Sequence, residues 1–254
     1  MKIFVFLLAA ALQLITPEVA FAKSSLAEGV GRMELQSAKK KHSYARVKFS
    51  DGQMVERFTV KAGDCPRRNG DCKTDRERSE FSAKRTGIRP GDEMWYAWSF
   101  FLPKEFPKLR KRDTTYTFGQ IHQRDKSGPE LLFHLFPDGF FVNLSNPYKL
   151  DGDPMNPIGS FKEIRLASQK QLTNRWTRIK VNAKWSRGED GFIHVWMNGK
   201  RVWSYQGATT NSNGELYFKY GLYRAFVSRC GGPCPDATIY YRNVRQGRSE
   251  AEVN

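Results

Sequence analysis

Apolar and polar residues alternate with a period of two along most of this chain, and past its N-terminal segment almost nothing sustains the spacing of an amphipathic helix. The alternation predicts strands over 46–49, 53–60, 77–83, 93–102, 116–123, 131–136, 140–144, 163–166, 176–185, 191–197, 201–205, 216–223 and 238–244. Gly, Pro, Asn and Asp separate these runs, as turns require. Asn198-Gly199 lies between two such runs, and because both residues tolerate positive φ it marks a tight hairpin; Pro137-Asp138-Gly139 marks another. Many short strands, with no internal repeat and no low-complexity linker, predict an all-β sandwich of two antiparallel sheets forming one domain.

Successive side chains of a strand point to opposite faces, so the pattern also sorts residues by face. Gln120 and His122 share one face, with Ile121 toward the core. Tyr217, Lys219, Gly221 and Tyr223 share another, while Phe218, Tyr220 and Leu222 turn inward. If these two polar faces are neighbours in one sheet, an amide, an imidazole, an ammonium and a phenol converge. In 176–185, Thr177, Ile179, Val181, Ala183 and Trp185 form the buried face. Arg178, Lys180, Asn182 and Lys184 form a face that a ligand or plain solvent could occupy.

The first residues change the picture of where the protein works. Met1-Lys2, the apolar run 3–12 and Ala20-Phe21-Ala22 read as an export signal, cut after Ala22, ahead of a domain over 23–254. The apolar run is about half of the ~20 residues a membrane span needs. No later stretch is long enough, so no membrane association is expected after cleavage. Cys65 and Cys72, and Cys230 and Cys234, are each close enough to staple a local loop in an oxidising compartment. Pairing between the two loops is the alternative, and the spacings are poor matches to zinc sites. The formal net charge of +16 implies attraction to polyanions. With export expected and no zinc finger, RNP-type or helix-turn-helix pattern present, an acidic glycan is a better partner than intracellular nucleic acid.

Gln120-Ile121-His122 and Tyr217-Phe218-Lys219-Tyr220-Gly221-Leu222-Tyr223 resemble the paired motifs of jelly-roll polysaccharide lyases, a group that includes alginate lyases. Asp75-Arg-Glu-Arg-Ser-Glu80 upstream, Trp95-Tyr-Ala-Trp-Ser-Phe-Phe-Leu-Pro103 and the Asn-Gly hairpin bring the chain nearer to the heparin lyase I and glucuronan lyase branch. The similarity runs in order over roughly 64–244. It implies a concanavalin-like jelly roll and a secreted or periplasmic monomer that cleaves glucuronan-, heparin- or alginate-like chains by β-elimination. No cofactor is required on this reading. Calcium assists some relatives, but Asp151-Gly-Asp153 and the acidic residues near Glu189 are sparse ligands for it.

The resemblance also implies roles. Gln120, helped by an arginine, would neutralise the uronate carboxylate, and Tyr223 would act as base, acid or both. Arg76 and Arg78 share a face, and Arg78 is the stronger catalytic candidate because it heads Arg78-Ser79-Glu80. The second arginine of the alginate lyase pattern would fall near Ser82, where this chain departs from it. Lys219, His122 and an arginine are expected to lower the Tyr223 phenol from its ordinary pKa of ~10. For a glucuronate, Tyr223 alone could move both protons; for iduronate or guluronate, His122 would be base and Tyr223 acid. Lys219, Arg76, Tyr217, Arg178 and Lys180 are the candidate substrate contacts. His134 shares a face with Leu132 and Phe136 and reads as a core or edge histidine. His194 reads as a sugar subsite or solvent-facing residue, and His42 as surface. The rivals are a non-catalytic glycan-binding module of the same fold and a glycoside hydrolase, though no Glu-x-Asp-x-x-Glu strand supplies the latter's carboxylates.

Overall fold

The thirteen segments of period-two alternation all form strands in a computed structural model, which describes residues 24–110, 114–125, 128–147 and 160–254. The expected signal segment and Asp151-Gly-Asp153 lie outside the described residues. The strands are β1 (Arg32–Ser37), β2 (Tyr44–Lys48), β3 (Met54–Val60), β4 (Arg76–Lys84), β5 (Glu93–Phe101), β6 (Thr115–Gln123), β7 (Pro129–Phe136), β8 (Gly139–Ser145), β9 (Ser160–Ala167), β10 (Trp176–Lys184), β11 (Phe192–Met197), β12 (Lys200–Gln206), β13 (Leu216–Ala225) and β14 (Ala237–Gly247). They make two seven-stranded antiparallel sheets, ordered β1-β4-β13-β6-β7-β8-β9 and β12-β11-β10-β5-β14-β3-β2. The addition to the sequence reading is β1. Its Met33 and Leu35 only partly bury, so its apolar signal is weak, and it holds the edge beside β4.

The sheets are held together by the inward halves of the alternating strands. Phe81, Phe118, Ile121, Phe133, Val142, Phe218, Tyr220 and Leu222 from the first meet Tyr96, Trp98, Phe100, Ile179, Val181, Val195 and Tyr241 from the second, all essentially inaccessible. Burying a large apolar side chain is worth about 1.5–3 kcal/mol, so this double layer dominates the stability. The two disulfides are the local ones, Cys65–Cys72 and Cys230–Cys234. The hairpin at Asn198-Gly199 has the expected positive φ at both residues, 50° and 81°.

Two irregularities aim the outward residues. Between Thr117 and Gly119 the register of β6 against β7 shifts, and the space beside the Gly119 Cα is filled by the core indole of Trp98. Phe118 and Gly119 therefore both face inward, and the following Gln120 and His122 turn out. On β13 the register against β6 shifts again between Tyr220 and Tyr223, at Gly221 with φ of 134°. A Cβ on Gly221 would lie 2.5 Å from the Glu80 Cα and 2.6 Å from the Ser79 carbonyl oxygen. Gly221→Ala is accordingly expected to cost about 2–4 kcal/mol and to lower the thermal midpoint by roughly 5–10 °C. An unchanged unfolding midpoint would show that β4 and β13 can part to admit a methyl group.

Candidate active site

Strand β13 lies between β4 and β6, and the pairing sets the outward side chains in ranks. Tyr217 stands opposite His122, Lys219 opposite Gln120, and Tyr223 opposite both Thr117 and Arg78. The two polar faces read from the sequence are thus neighbours in one sheet. They floor a groove of about 440 Å³, which Arg76, Arg78, Gln120, His122, Lys219 and Tyr223 line together.

At the centre is a residue the sequence reading passed over. The buried carboxylate of Glu80 accepts from the Lys219 ammonium at 2.5 Å, from Arg78 Nη1 at 2.8 Å and from Gln120 Nε2 at 2.9 Å. Burial alone would raise its pKa, but Lys219 and Arg78 outweigh burial and hold it below the usual carboxylate range. Space for it exists because its partner across the ladder is Gly221. The signal was present: Glu80 shares the Arg78 face of β4, one pleat further on. Asp71, also buried, takes Arg78 Nε and Nη2 in a bidentate pair at 2.5 Å each. It sits in the 3₁₀ turn Asp71–Lys73, beside the Cys65–Cys72 bridge.

Burial sets the protonation states of the candidate groups. It pushes the Lys219 ammonium down to about 8, against the opposing pull of Glu80. It pushes His122 down to about 4, with the Lys219 charge adding to the effect, so the imidazole is neutral at neutral pH. His122 Nδ1 lies 2.9 Å from the Gln123 carbonyl oxygen and 3.1 Å from the Gln123 amide nitrogen, and in the tautomer that donates to the carbonyl the Nε2 lone pair is free to accept. The ring stacks on Tyr217 at 5.3 Å. The Tyr223 phenol is pushed up to about 12 by burial, although Arg76 and Arg78 oppose this and the Arg78 guanidinium lies 4.6 Å from its ring. The lowering expected from neighbouring positive charge is therefore reversed, because removal of the hydroxyl from water outweighs it.

The other sequence candidates separate. Arg178 and Lys180 lie on the outer face of the opposite sheet, where Arg178 donates to the Val253 carbonyl at 2.6 Å and Lys180 pairs with Glu250. They are remote from the groove, because alternation assigns a face but not a sheet. Tyr217 stacks on His122 from the neighbouring strand and is itself covered by Arg124, 4.5 Å from its ring. His134, read as a core or edge residue, is buried but lines the groove, and its Nε2, 3.9 Å from the Glu163 carboxylate, has no hydrogen-bond partner among the described residues. The outward face of β7, carrying Leu132 and Phe136, is itself a groove wall, which the apolar pattern disguised. His194 is on the outer face beside Ser204, and His42 is tied to Asp64 at 2.6 Å. Among the described residues, no group of three or more His, Cys, Asp or Glu side chains is disposed to hold a metal ion.

Comparison with known proteins adds what geometry alone does not. In solved structures the chain is similar to an endo-β-1,4-glucuronan lyase from the fungus Trichoderma reesei, at TM-score 0.64 and 19% identity, over 86% of this chain and 92% of that one. It is also similar to the family 7 alginate lyase A1-II′, at TM-score 0.57 and 16% identity over 83% and 85%. A third similar structure is the alginate lyase vAL-1 from a Chlorella virus, at TM-score 0.53 and 19% identity over 87% and 94%. At such identities the likeness is one of fold, the jelly roll. No curated protein sequence matches significantly. The family model for polysaccharide lyases, however, matches residues 24–245, nearly the whole described chain, and by that match the protein belongs to the polysaccharide lyases.

Proposed function

We propose that the protein is an exported, monomeric lyase that cleaves a uronate-containing polysaccharide by β-elimination, with His122 as base and Tyr223 as acid. The observation that carries this reading is the order of the ranks on the groove floor. Lys219 and Gln120 lie in the middle rank, His122 on one side of them and Tyr223 on the other. A sugar ring laid over Lys219 and Gln120 meets a neutral imidazole on one side and a protonated phenol on the other. Nε2 of His122 takes the C5 proton, the C5–H electron pair forms the C4–C5 double bond, and the C4–O4 bond breaks. Tyr223 gives its proton to the departing O4. Negative charge grows on the C6 carboxylate as the proton leaves, and the remaining N–H groups of Gln120 and Lys219 are the donors placed to receive it.

Separate acid and base on opposite sides suit a uronate whose C5 proton and C4 oxygen are anti, as in iduronate or guluronate. The syn case of glucuronate would ask Tyr223 to do both jobs. Its phenol would first have to ionise, and burial opposes that step. Export is supported by the two disulfides and by the signal-like first residues. The strongly positive chain favours an acidic polymer, whether a polyuronate or a glycosaminoglycan.

Purified protein incubated with a panel of polyuronates and glycosaminoglycans is expected to release products with an unsaturated uronate at the new end. A folded protein that yields none on any of them refutes the reading. Tyr223→Phe should lose about 10²–10⁴-fold in kcat, since the leaving oxygen then has no proton donor. Retention of full activity by this variant would remove Tyr223 from the chemistry. The pH profile of kcat/KM should rise through about 4, as His122 becomes neutral, and fall through about 8, as Lys219 loses its charge. A profile without that alkaline fall would remove the Lys219 charge from catalysis.

A further inference from the structure

The groove contains two arginines on one face of β4, and their surroundings differ. Arg78 is closed. Asp71 occupies its Nε and Nη2 edge in bidentate fashion, and Nη1 serves Glu80 at 2.8 Å and Gln36 at 3.4 Å. A guanidinium has five N–H donors, so four are committed to the protein, and the flat face lies against the Tyr223 ring. The fork that would grip a carboxylate is already gripping one. Arg76, one pleat away and about 7 Å along the strand, is half-buried and lines the groove, and its side chain has no hydrogen-bond or ion-pair partner among the described residues.

Charge accounting points the same way. Arg78 and Lys219 contribute two positive charges, and Asp71 and Glu80 two negative ones, so this buried cluster is neutral as a unit. His122 is neutral as well. Among the described residues lining the groove, the other charged groups are Arg76 near Tyr223 and Glu163 on β9, on the far side of the groove. Arg76 is therefore the positive charge in the groove that no carboxylate among the described residues meets.

Its immediate surroundings are built rather than loose. Across the ladder stands Ala225, and next comes Phe226, which lines the groove, is 36% exposed and has φ of 61°. A bulky side chain in the left-handed region is strained, and strain of this kind persists where surrounding contacts impose it. Here they do. Asp75, also left-handed at φ 61°, accepts the Phe226 N–H on its carbonyl at 2.9 Å, and its carboxylate caps Ser228 through N–H and Oγ at 2.7 and 2.8 Å. Arg229 covers the Phe226 ring at 3.9 Å, and Cys230–Cys234 closes the loop that follows. The loop therefore keeps an apolar ring surface exposed beside an unpaired guanidinium.

We propose that Arg76 and Phe226 form a subsite for a second uronate of the polysaccharide, adjacent to the sugar over Lys219 and Gln120, in which Arg76 binds the carboxylate and Phe226 packs against the ring. Arg78, by contrast, is a positioning residue that holds Tyr223 and Glu80 and does not contact the substrate carboxylate. This rests on the lyase reading above for the direction of the chain, while the subsite itself is a matter of binding.

Steady-state kinetics on acidic oligosaccharides of increasing length test it. Arg76→Gln should raise KM about 10–100-fold on long substrates with kcat within about 2-fold, and the defect should vanish for the shortest cleavable oligomer. Phe226→Ala should raise KM by a few-fold. Arg78→Lys should instead lower kcat with KM nearly unchanged. An Arg76→Gln variant with wild-type KM on long chains, or with its loss in kcat, overturns the proposal. Because Arg76 has no side-chain partner among the described residues, this variant should unfold at the wild-type temperature. Affinity electrophoresis through gels containing the polyuronate provides a readout independent of turnover: wild type should be retarded and Arg76→Gln much less so. Equal retardation overturns the subsite. Absence of unsaturated product with any substrate, with the difference in retardation intact, overturns only the lyase reading.

Discussion

One buried carboxylate organises this site. Glu80 sits under the groove floor among Lys219, Arg78 and Gln120, and each partner comes from a different position on three adjacent strands. A lone charge at that depth would be prohibitive, and two unpaired cations beside it no better. Each ion is tolerable only with the others present, so β4, β13 and β6 are bound to one register. The same requirement explains Gly221, since any side chain there would occupy the space in which the Glu80 side chain leaves its strand. A backbone irregularity and an ionic cluster are thus two sides of one packing problem.

The sequence was informative wherever a single strand carried the information. Alternation located thirteen of the strands, separated Gln120 and His122 from Ile121, and turned Lys219 and Tyr223 away from Phe218, Tyr220 and Leu222. It was silent where the answer depended on how strands combine. Arg178 and Lys180 occupy a polar face as regular as that of Lys219, yet theirs belongs to the other sheet and is used to dock the C-terminal residues. Nothing local distinguishes the two cases. His134 was hidden for the opposite reason: its apolar neighbours suggested core, whereas that face of β7 is a groove wall. The shift at Gly119 that aims Gln120 and His122 depends on the distant Trp98 indole, so it too is a tertiary fact.

The protonation states follow from the same burial. A groove floor deep enough to hold Glu80 in an ionised network also leaves His122 and Tyr223 half-buried and only partly hydrated. That moves the two pKa values apart, the imidazole down to about 4 and the phenol up to about 12. In the proposed roles the base must be empty and the acid loaded before the substrate arrives, and burial of the two neutral groups serves both. Lys219 resists the same pressure only in part. Even with Glu80 against it, the ammonium falls to about 8, so its charge is lost just above neutrality, unlike those of His122 and Tyr223.

A neutral catalytic centre within a basic protein has a further consequence. Strong positive charge at the C5 position would grip the ground-state carboxylate as firmly as the enolate-like transition state. Such uniform binding lowers KM without raising kcat. On the proposed mechanism, matching Arg78 and Lys219 with Asp71 and Glu80 keeps the central donors available for hydrogen bonding while removing excess attraction at the reacting sugar. On the same mechanism, affinity for a polyanion would come from elsewhere, from the +16 charge of the chain at long range and from groups such as Arg76 at the edge of the groove. Separating the charge that holds the polymer from the donors that stabilise its transition state lets each be set without compromising the other.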